Sequence, residues 1–431
     1  MLKKKLISTS DKLDRALVVG VMFKNDERVH VEEYVNEVVL LADTAGARVV
    51  RSVFQERQSA DPAYFIGKGK AEEIGQICEF EDINLVIFDD DLSGVQIRNL
   101  ETIIKKRVLD RSGLILDIFA LRARSREAKL QVEMAQLKYN MSRLAGQWQH
   151  FSKQYGVIGT RGPGEKQIEV DRRVIKKRIS ALREKLDDIA GQRELRRAQR
   201  NEFPKFALVG YTNAGKSTLM NALSGAETFV ENRLFATLDT FTRKTFLSSS
   251  IQCLLVDTVG FIRKLPPDLV ASFKSTLEEV AFADYILHVV DISSPTFREQ
   301  IDVVNETLTQ LGCADKPTVI VFNKVDRVAE FGLVRSVLNE FNGSSVAISA
   351  ERHINLNQLK EKMLELMGSD IVEKSFRIKP TQPEKLAKIL SVAEFVQSTG
   401  SFGGGDQPES FQLKVRMRKK DWEKLKREIY A

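Results

Sequence analysis

Gly210-Tyr211-Thr212-Asn213-Ala214-Gly215-Lys216-Ser217 fits the pattern G-x-x-x-x-G-K-[ST] without a mismatch. Its flanks give it a structural context. The apolar run Phe206, Ala207, Leu208 and Val209 predicts a buried strand, and Thr218 to Leu223 opens a helical pattern. A strand, a glycine-bounded loop and a helix N-terminus together make an anion site, because backbone N–H groups point inward and the helix dipole favours negative charge. Lys216 is expected to reach the β- and γ-phosphates of a nucleotide, and the Ser217 hydroxyl to ligate Mg²⁺.

Three further motifs follow in the order a guanine-nucleotide hydrolase requires. Asp257-Thr258-Val259-Gly260 ends the apolar run 251–256. Asp257 is expected to hold Mg²⁺ through water, and the Gly260 N–H to sense the γ-phosphate. Upstream, Phe235, Ala236, Thr237, Leu238 and Asp239 form a candidate first switch. Thr237 is the choice for the hydroxyl that completes the Mg²⁺ shell, with Thr240 as the alternative. Asn323-Lys324-Val325-Asp326 follows the run 318–322. A carboxylate at Asp326 accepts from guanine N1–H and the 2-amino group together. Adenine has no such donor pair, so a buried Asp326 would be left unpaired by ATP. Asn323 would support the base and the neighbouring loop, the Lys324 stem would lie over the face of the base, and Ser349-Ala350 would offer a backbone N–H to guanine O6. Lys216, Thr237 and Gly260 are therefore the candidate catalytic groups. The residue after Gly260 is Phe261, then Ile262. Neither can orient an attacking water by side-chain hydrogen bonding, which predicts slow intrinsic hydrolysis.

The chain has 431 residues, 43% of them hydrophobic and 29% charged, which suits a core-forming protein of two to four domains. No apolar run approaches the roughly 20 residues that span a bilayer. No apolar signal core follows the basic first residues. The cysteines Cys78, Cys253 and Cys313 lie far apart and predict neither disulfides nor a zinc site. A cytoplasmic monomer is expected. The net charge of +7 hints at a nucleic-acid partner.

Residues 1–120 alternate strand and helix patterns and predict a small α/β layer. Runs at 16–21, 47–54, 85–88 and 114–119 are the apolar segments, and Ser93 is a candidate cap for a helix reaching about Ile104. Tyr64-Phe65-Ile66-Gly67-Lys68-Gly69-Lys70 predicts a strand entering a basic turn, read as a structural turn or RNA contact ahead of a nucleotide pocket. The Asp89–Asp91 cluster predicts a solvated strand end, with a Mg²⁺ site as the lesser reading.

Residues 121–202 carry two a/d stripes, Leu130, Met134, Leu137, Met141, Leu144 and Ile175, Ile179, Leu182, Leu186, Ile189. Neither buries itself alone, which predicts an antiparallel helical hairpin. The connection, 146–164, holds Trp148, His150, Phe151, Tyr155, Lys153 and Arg161. Aromatics stack on unpaired bases and cations meet phosphates. The second helix adds Arg172, Arg173, Lys176 and Lys177. The hairpin reads as an RNA probe, with a solvated charged helix as the alternative. Residues 203–370 form the G domain. Residues 371–431 predict a small α+β unit with a helix over 383–396, a Gly-rich turn over 399–407 and a basic group of Lys414, Arg416, Arg418, Lys419 and Lys420.

The order of these pieces resembles the HflX family of translational GTPases. The likeness rests on Phe65-Ile66-Gly67-Lys68-Gly69-Lys70, the stretch Asp110 to Ala120, Gly159-Thr160-Arg161-Gly162-Pro163-Gly164-Glu165, Asp171-Arg172-Arg173, Phe235 to Asp239 and Asp257 to Ile262. Thr240 stands where many relatives have proline, and Val157 where many have a second glycine. The resemblance implies the fold class α/β: an N-terminal α/β domain with an antiparallel helical hairpin, a Ras-like P-loop G domain with a mainly parallel sheet, and a small C-terminal α+β domain. It also implies binding to the large ribosomal subunit and its rRNA near the peptidyl-transferase centre. It implies stimulation by ribosomes and splitting of stalled or hibernating ribosomes under heat stress. A large-subunit assembly timer is the alternative. It allows an ATP site near 67–70, a weak ATPase activity and peripheral membrane association. Asn213 resembles the asparagine of GTPases that recruit K⁺ beside Mg²⁺.

Overall fold

The computed structural model describes residues 13–24, 28–147, 163–198, 203–225, 234–235, 240–248, 251–264, 279–329, 331–341, 343–368, 371–379, 381–402 and 408–430. The chain divides into two compact units. The first comprises Met1–Arg193 with Asn232–Leu238 and Lys264–Lys274, and the second Glu194–Glu231, Asp239–Arg263 and Ser275–Ala431.

The first unit opens with a parallel sheet of four strands. β1 (Asp14–Phe23), β2 (Ala47–Arg57), β3 (Leu85–Phe88) and β4 (Arg107–Asp110) lie in the order β2-β1-β3-β4. The crossovers are helical: α1 (Arg28–Thr44), α2 (Lys68–Phe80) and α3 (Gly94–Ile104). β1 is buried from Ala16 to Val21 because helices cover both faces of a parallel sheet. Ser93 caps α3 as expected, in a capping box with Gln96.

The apolar run at 114–119 is helix, not a further sheet strand. It lies in α4 (Arg111–Arg122), buried from Arg111 to Leu116 and at Ile118 and Phe119. Asp110 starts it, its carboxylate accepting from the Gly113 N–H at 2.9 Å. An all-round buried helix and a buried strand share one apolar signature, so periodicity alone cannot separate them. Residues 64–66 are not a strand either. Phe65 has φ +66° and bridges back to Asp61, and Gly67 N-caps α2.

The Asp89–Asp91 cluster is solvated only towards its far end: Asp91 is exposed and Asp90 half-buried, but Asp89 is buried. Asp89 is 5% exposed and pairs with Arg111 at 2.5 Å, whose other nitrogen pairs with Glu37 at 2.5 Å. Asp91 accepts from Ser112, and Lys264 pairs with Asp89 and Asp90. No group of three metal-ligating side chains is found among the described residues.

α5 (Arg126–Gln147) and α6 (Pro163–Ala198) are the two arms of the hairpin. Leu182 is buried and Ile175, Ile179, Leu186 and Ile189 are half-buried, whereas Arg172, Arg173, Lys176 and Lys177 are exposed, so the apolar stripe and the basic flank occupy different faces. Arg178 of α6 pairs with Glu133 of α5 at 2.7 Å. The C-terminal half of α5 is fastened to the end of β4. Tyr139 Oη donates to Asp110 at 2.6 Å, Arg143 pairs with the same carboxylate, and its guanidinium lies 3.3 Å from the Tyr139 ring centroid.

The second unit contains a six-stranded sheet in the order β10-β9-β8-β5-β7-β6. Its strands are β5 (Lys205–Gly210), β6 (Phe241–Phe246), β7 (Gln252–Asp257), β8 (Tyr285–Asp291), β9 (Thr318–Asn323) and β10 (Ser345–Ala347). All pair in parallel except β6, which is antiparallel to β7. The helices are α7 (Lys216–Ser224), α8 (Phe297–Gln310), α9 (Phe331–Glu340) and α10 (Leu356–Leu366). One core joins Phe206, Leu208, Leu219, Leu255, Leu287, Val321 and Leu359. The carboxyl ends of β5, β7, β8 and β9 therefore share one edge, where open α/β sheets bind ligands.

A smaller sheet, β11 (Ile371–Ile378), β13 (Pro408–Arg418) and β12 (Glu394–Phe402), is antiparallel in the order β11-β13-β12. α11 (Pro383–Val392) and α12 (Lys419–Tyr430) supply Ile389 and Leu425 to its core. The helix expected over 383–396 ends at Val392, and strand β12 occupies part of the stretch expected to be a turn.

Candidate functional site

The phosphate loop begins where β5 ends. Gly210 has φ +152°, and a Cβ there would stand 2.1 Å from the Val289 carbonyl oxygen, so only glycine fits. Gly215 has φ +95°, and its Cβ would meet Asn323 Nδ2 at 2.2 Å. Lys216 is 6% exposed, and its ammonium donates to the carbonyls of Gly210 at 3.0 Å and Tyr211 at 2.8 Å. Burial pulls its pKa down to about 8. Asp257 opposes that shift and Lys324 adds to it. His288, on the neighbouring strand, is buried and held neutral, its pKa lowered to about 4 by burial and by the Lys216 charge.

Asp257 closes β7 beside this loop. Ser217 Oγ donates to Asp257 Oδ2 at 2.7 Å. A hydroxyl and a carboxylate side by side are hard oxygen donors of the kind Mg²⁺ takes. Thr258 donates to the Leu208 carbonyl at 2.7 Å, tying the strand end to β5. Gly260 lies against the loop, for a Cβ there would meet Thr212 Cα at 2.9 Å and Lys216 Nζ at 3.1 Å. Phe261 is joined by backbone, its N–H donating to Gly210 at 3.0 Å and its carbonyl accepting from the Thr212 N–H at 2.7 Å.

The base-recognition segments sit at the ends of β9 and β10. Asn323 is 2% exposed. Its Nδ2 donates to the Ala214 carbonyl at 2.8 Å and its Oδ1 accepts from the Ala350 N–H at 2.9 Å. Of the Ser349-Ala350 pair expected to offer an N–H to guanine O6, the Ala350 amide thus bonds to Asn323 and the Ser349 amide to the Ile354 carbonyl at 3.3 Å. Lys324 has φ +64° and pairs with Asp291 at 2.7 Å. Asp326 is not buried as a residue, but its side chain is 12% exposed. Its carboxyl is held below the usual range, chiefly by a hydrogen bond from Ser349.

The second unit thus brings Gly210–Ser217, Asp257–Gly260, Asn323–Asp326 and Ser349–Ala350 to one sheet edge. Of the first switch, Phe235 is 3% exposed, at φ +53° in the first unit, 4.6 Å from the Phe119 ring. Ala236, Thr237, Leu238 and Asp239 lie outside the described residues, as do Trp148, His150, Phe151, Lys153 and Arg161. In the C-terminal sheet, Lys414 and Arg416 pair with Glu373 at 2.7 and 3.0 Å, and Arg418 with Asp421 at 2.6 Å. At 67–70, the Gly67 N–H donates to Gln55 at 3.1 Å and Lys70 pairs with Glu73 at 2.8 Å. No described helix is long and apolar enough to cross a membrane.

The bond from Asn323 to Ala214 fits its expected support of the neighbouring loop. Sequence reasoning missed the link made by the Phe261 backbone, which has no signal in local pattern because it joins segments distant in the chain.

Comparison with known proteins matches three family models in succession: a "GTP-binding GTPase N-terminal" region over 32–120, a "GTP-binding GTPase Middle Region" over 122–200 and a "50S ribosome-binding GTPase" domain over 205–324. The chain is 48% identical over 350 residues to the GTPase HflX of Caldanaerobacter subterraneus, covering 81% of this chain and 79% of that one. It is 37% identical over 418 residues to the GTPase HflX of Escherichia coli, covering 96% and 95%. Among solved structures, a GTP-binding protein from Sulfolobus solfataricus in complex with GDP aligns with TM-score 0.45 and 26% identity, covering 83% of this chain and 99% of that one.

Proposed function

Because the chain belongs to the HflX family of GTPases, we propose that it hydrolyses GTP at the 210–217 loop while bound to the large ribosomal subunit, and that its binding separates stalled or hibernating ribosomes into subunits, in particular under heat stress. The observation that carries this reading is the meeting of four guanine-nucleotide motifs at one sheet edge, in a chain that also bears a helical hairpin with a basic face. In this reading Lys216 leaves the loop carbonyls to meet the β- and γ-phosphates. Gly260 presents its N–H to the γ-phosphate, and Asp326 selects guanine. Ser217 would hold Mg²⁺ directly and Asp257 through water, with Thr237 completing the shell. The ion neutralises phosphate charge when bound. Asn213, at φ +60° and exposed, is the residue at which K⁺ would act.

The exposed Arg172, Arg173, Lys176 and Lys177 would follow rRNA phosphates, with the segment 148–162 at the contact. The weaker reading of 67–70 as an ATP site meets donors already engaged with Gln55 and Glu73. A large-subunit assembly timer is the second functional reading, favoured by the same basic flank.

The test is GTP hydrolysis by the full chain with and without purified large subunits, joined to sedimentation of 70S particles. Stimulation together with conversion of 70S to free subunits is expected. Stimulation by precursor particles alone, with 70S intact, would replace splitting by assembly. No stimulation in either K⁺ or Na⁺ would sink ribosome activation.

A further inference from the structure

The phosphate loop buries one hydroxyl that the loop itself does not use. Thr212 is 6% exposed, and its Oγ1 is buried without a hydrogen-bond partner. Its backbone N–H is engaged with Phe261. A valine would fill the same shape with no polar atom, and a buried unpaired hydroxyl is unfavourable, so the hydroxyl calls for a partner that arrives with a ligand.

Its surroundings indicate which part of the ligand. A Cβ on Gly260 would lie 2.9 Å from both Thr212 Cα and Thr212 Cγ2, and 3.1 Å from Lys216 Nζ. Thr212 therefore packs against the glycine assigned to sense the γ-phosphate, beside the ammonium assigned to the β- and γ-phosphates. Among the described residues, the two that follow Gly260 offer no polar side chain to the γ-phosphate side. Phe261 and Ile262 are apolar and buried, so neither side chain can hydrogen-bond to water or phosphate.

We propose that the Thr212 hydroxyl donates a hydrogen bond to a γ-phosphoryl oxygen of GTP, making Thr212 a further catalytic residue and a discriminator of GTP from GDP. It acts once Lys216 turns from the Gly210 and Tyr211 carbonyls to the phosphates. The γ-phosphoryl oxygens spread charge during transfer, and a neutral donor in a water-poor position stabilises that charge. GDP offers no such oxygen. The inference rests on the 210–217 loop being the GTP site.

The experiment compares wild type, Thr212→Val and Thr212→Ser for binding of a non-hydrolysable GTP analogue, binding of GDP, and single-turnover GTP hydrolysis. Thr212→Val keeps the shape and removes the donor, while Thr212→Ser keeps the donor. A hydrogen bond to a charged group predicts a loss of roughly tenfold or more in analogue affinity or hydrolysis rate for Thr212→Val. GDP affinity should be unchanged, the thermal midpoint of the nucleotide-free protein should not fall, since valine removes an unpaired buried hydroxyl, and Thr212→Ser should stay near wild type. The proposal falls if Thr212→Val behaves as wild type, if analogue and GDP affinity drop together, or if Thr212→Ser fails as Thr212→Val does. A wild type that binds neither nucleotide would instead sink the assignment of the site.

Discussion

Asn323 Nδ2 donates to the Ala214 carbonyl at 2.8 Å, so the loop assigned to the base and the loop assigned to the phosphates are one hydrogen-bonded piece. The other end of the same amide accepts from Ala350 at 2.9 Å. Asn323→Ala removes both bonds and leaves buried groups unpaired. Affinity for GTP and GDP should fall together, between about tenfold and a hundredfold, since such bonds contribute about 1 kcal/mol each and orphaned groups cost more. Fluorescent-nucleotide titration checks this. A selective loss of GTP alone would contradict it, because neither Ala214 nor Ala350 distinguishes the two.

Ser217 and Asp257 are bonded at 2.7 Å, the spacing of two oxygens that share one cation's neighbourhood. Ser217→Ala deletes the hydroxyl assigned to direct ligation and leaves Asp257 in place. The Mg²⁺ concentration for half-maximal hydrolysis should rise by about tenfold, on the basis that one lost oxygen ligand weakens a site of few protein ligands. An unchanged Mg²⁺ titration would move the ion away from Ser217.

Much of this arrangement could be read from the chain, and the reasons are local. The segments 206–209 and 318–322 are short apolar runs ended by loop residues, and each is a buried strand in the structure. The Ser93 cap and the a/d stripe of α6 also rest on neighbours within a few positions. What could not be read depends on distance. Arg111 is 0% exposed, and its partners Asp89 and Glu37 lie 22 and 74 residues away. An arginine inside an apolar helix is a puzzle until the fold brings those carboxylates to it. The apolar run 114–119 did not disclose its helix for the related reason that burial on all sides erases the amphipathic pattern. The unused hydroxyl of Thr212 is invisible in sequence, where it is one unspecified position of the loop motif.

Lys216 sets a pH dependence of definite sign. Its folded pKa is about 8, below the ordinary 10.5, because burial disfavours the ammonium. Between these values the unfolded chain binds more protons than the folded one, so this group's contribution to stability rises with pH from about 8 to 10.5. Nucleotide binding runs the other way. Phosphate oxygens favour the charged lysine, so above about pH 8 binding must take up a proton and affinity falls as pH rises. The slope of log affinity should approach −1 per pH unit. Thermal melts of wild type against Lys216→Met should show the stability difference changing in wild type's favour across the same window. Nucleotide affinity independent of pH from 7.5 to 9.5 would refute the assignment of the phosphate contact to this ammonium.

The basic flank of α6 gives a prediction that separates its charge from the GTP site. Arg172, Arg173, Lys176 and Lys177 are all exposed and stand apart from the half-buried Ile175 and Ile179. Their replacement by Gln should leave the helix core intact. It should also leave hydrolysis by the isolated protein unchanged, because the nucleotide motifs lie elsewhere in the chain. If these side chains neutralise rRNA phosphates, large-subunit binding should weaken by orders of magnitude at physiological salt. The log–log salt slope should become shallower by about one for each phosphate no longer neutralised. Binding measured from low to high salt gives both quantities in one series. A weakened affinity with an unchanged slope would mean that the flank meets protein or orders the hairpin rather than RNA. An unchanged affinity would make it a solvated face and leave recognition to the segment between the two helices.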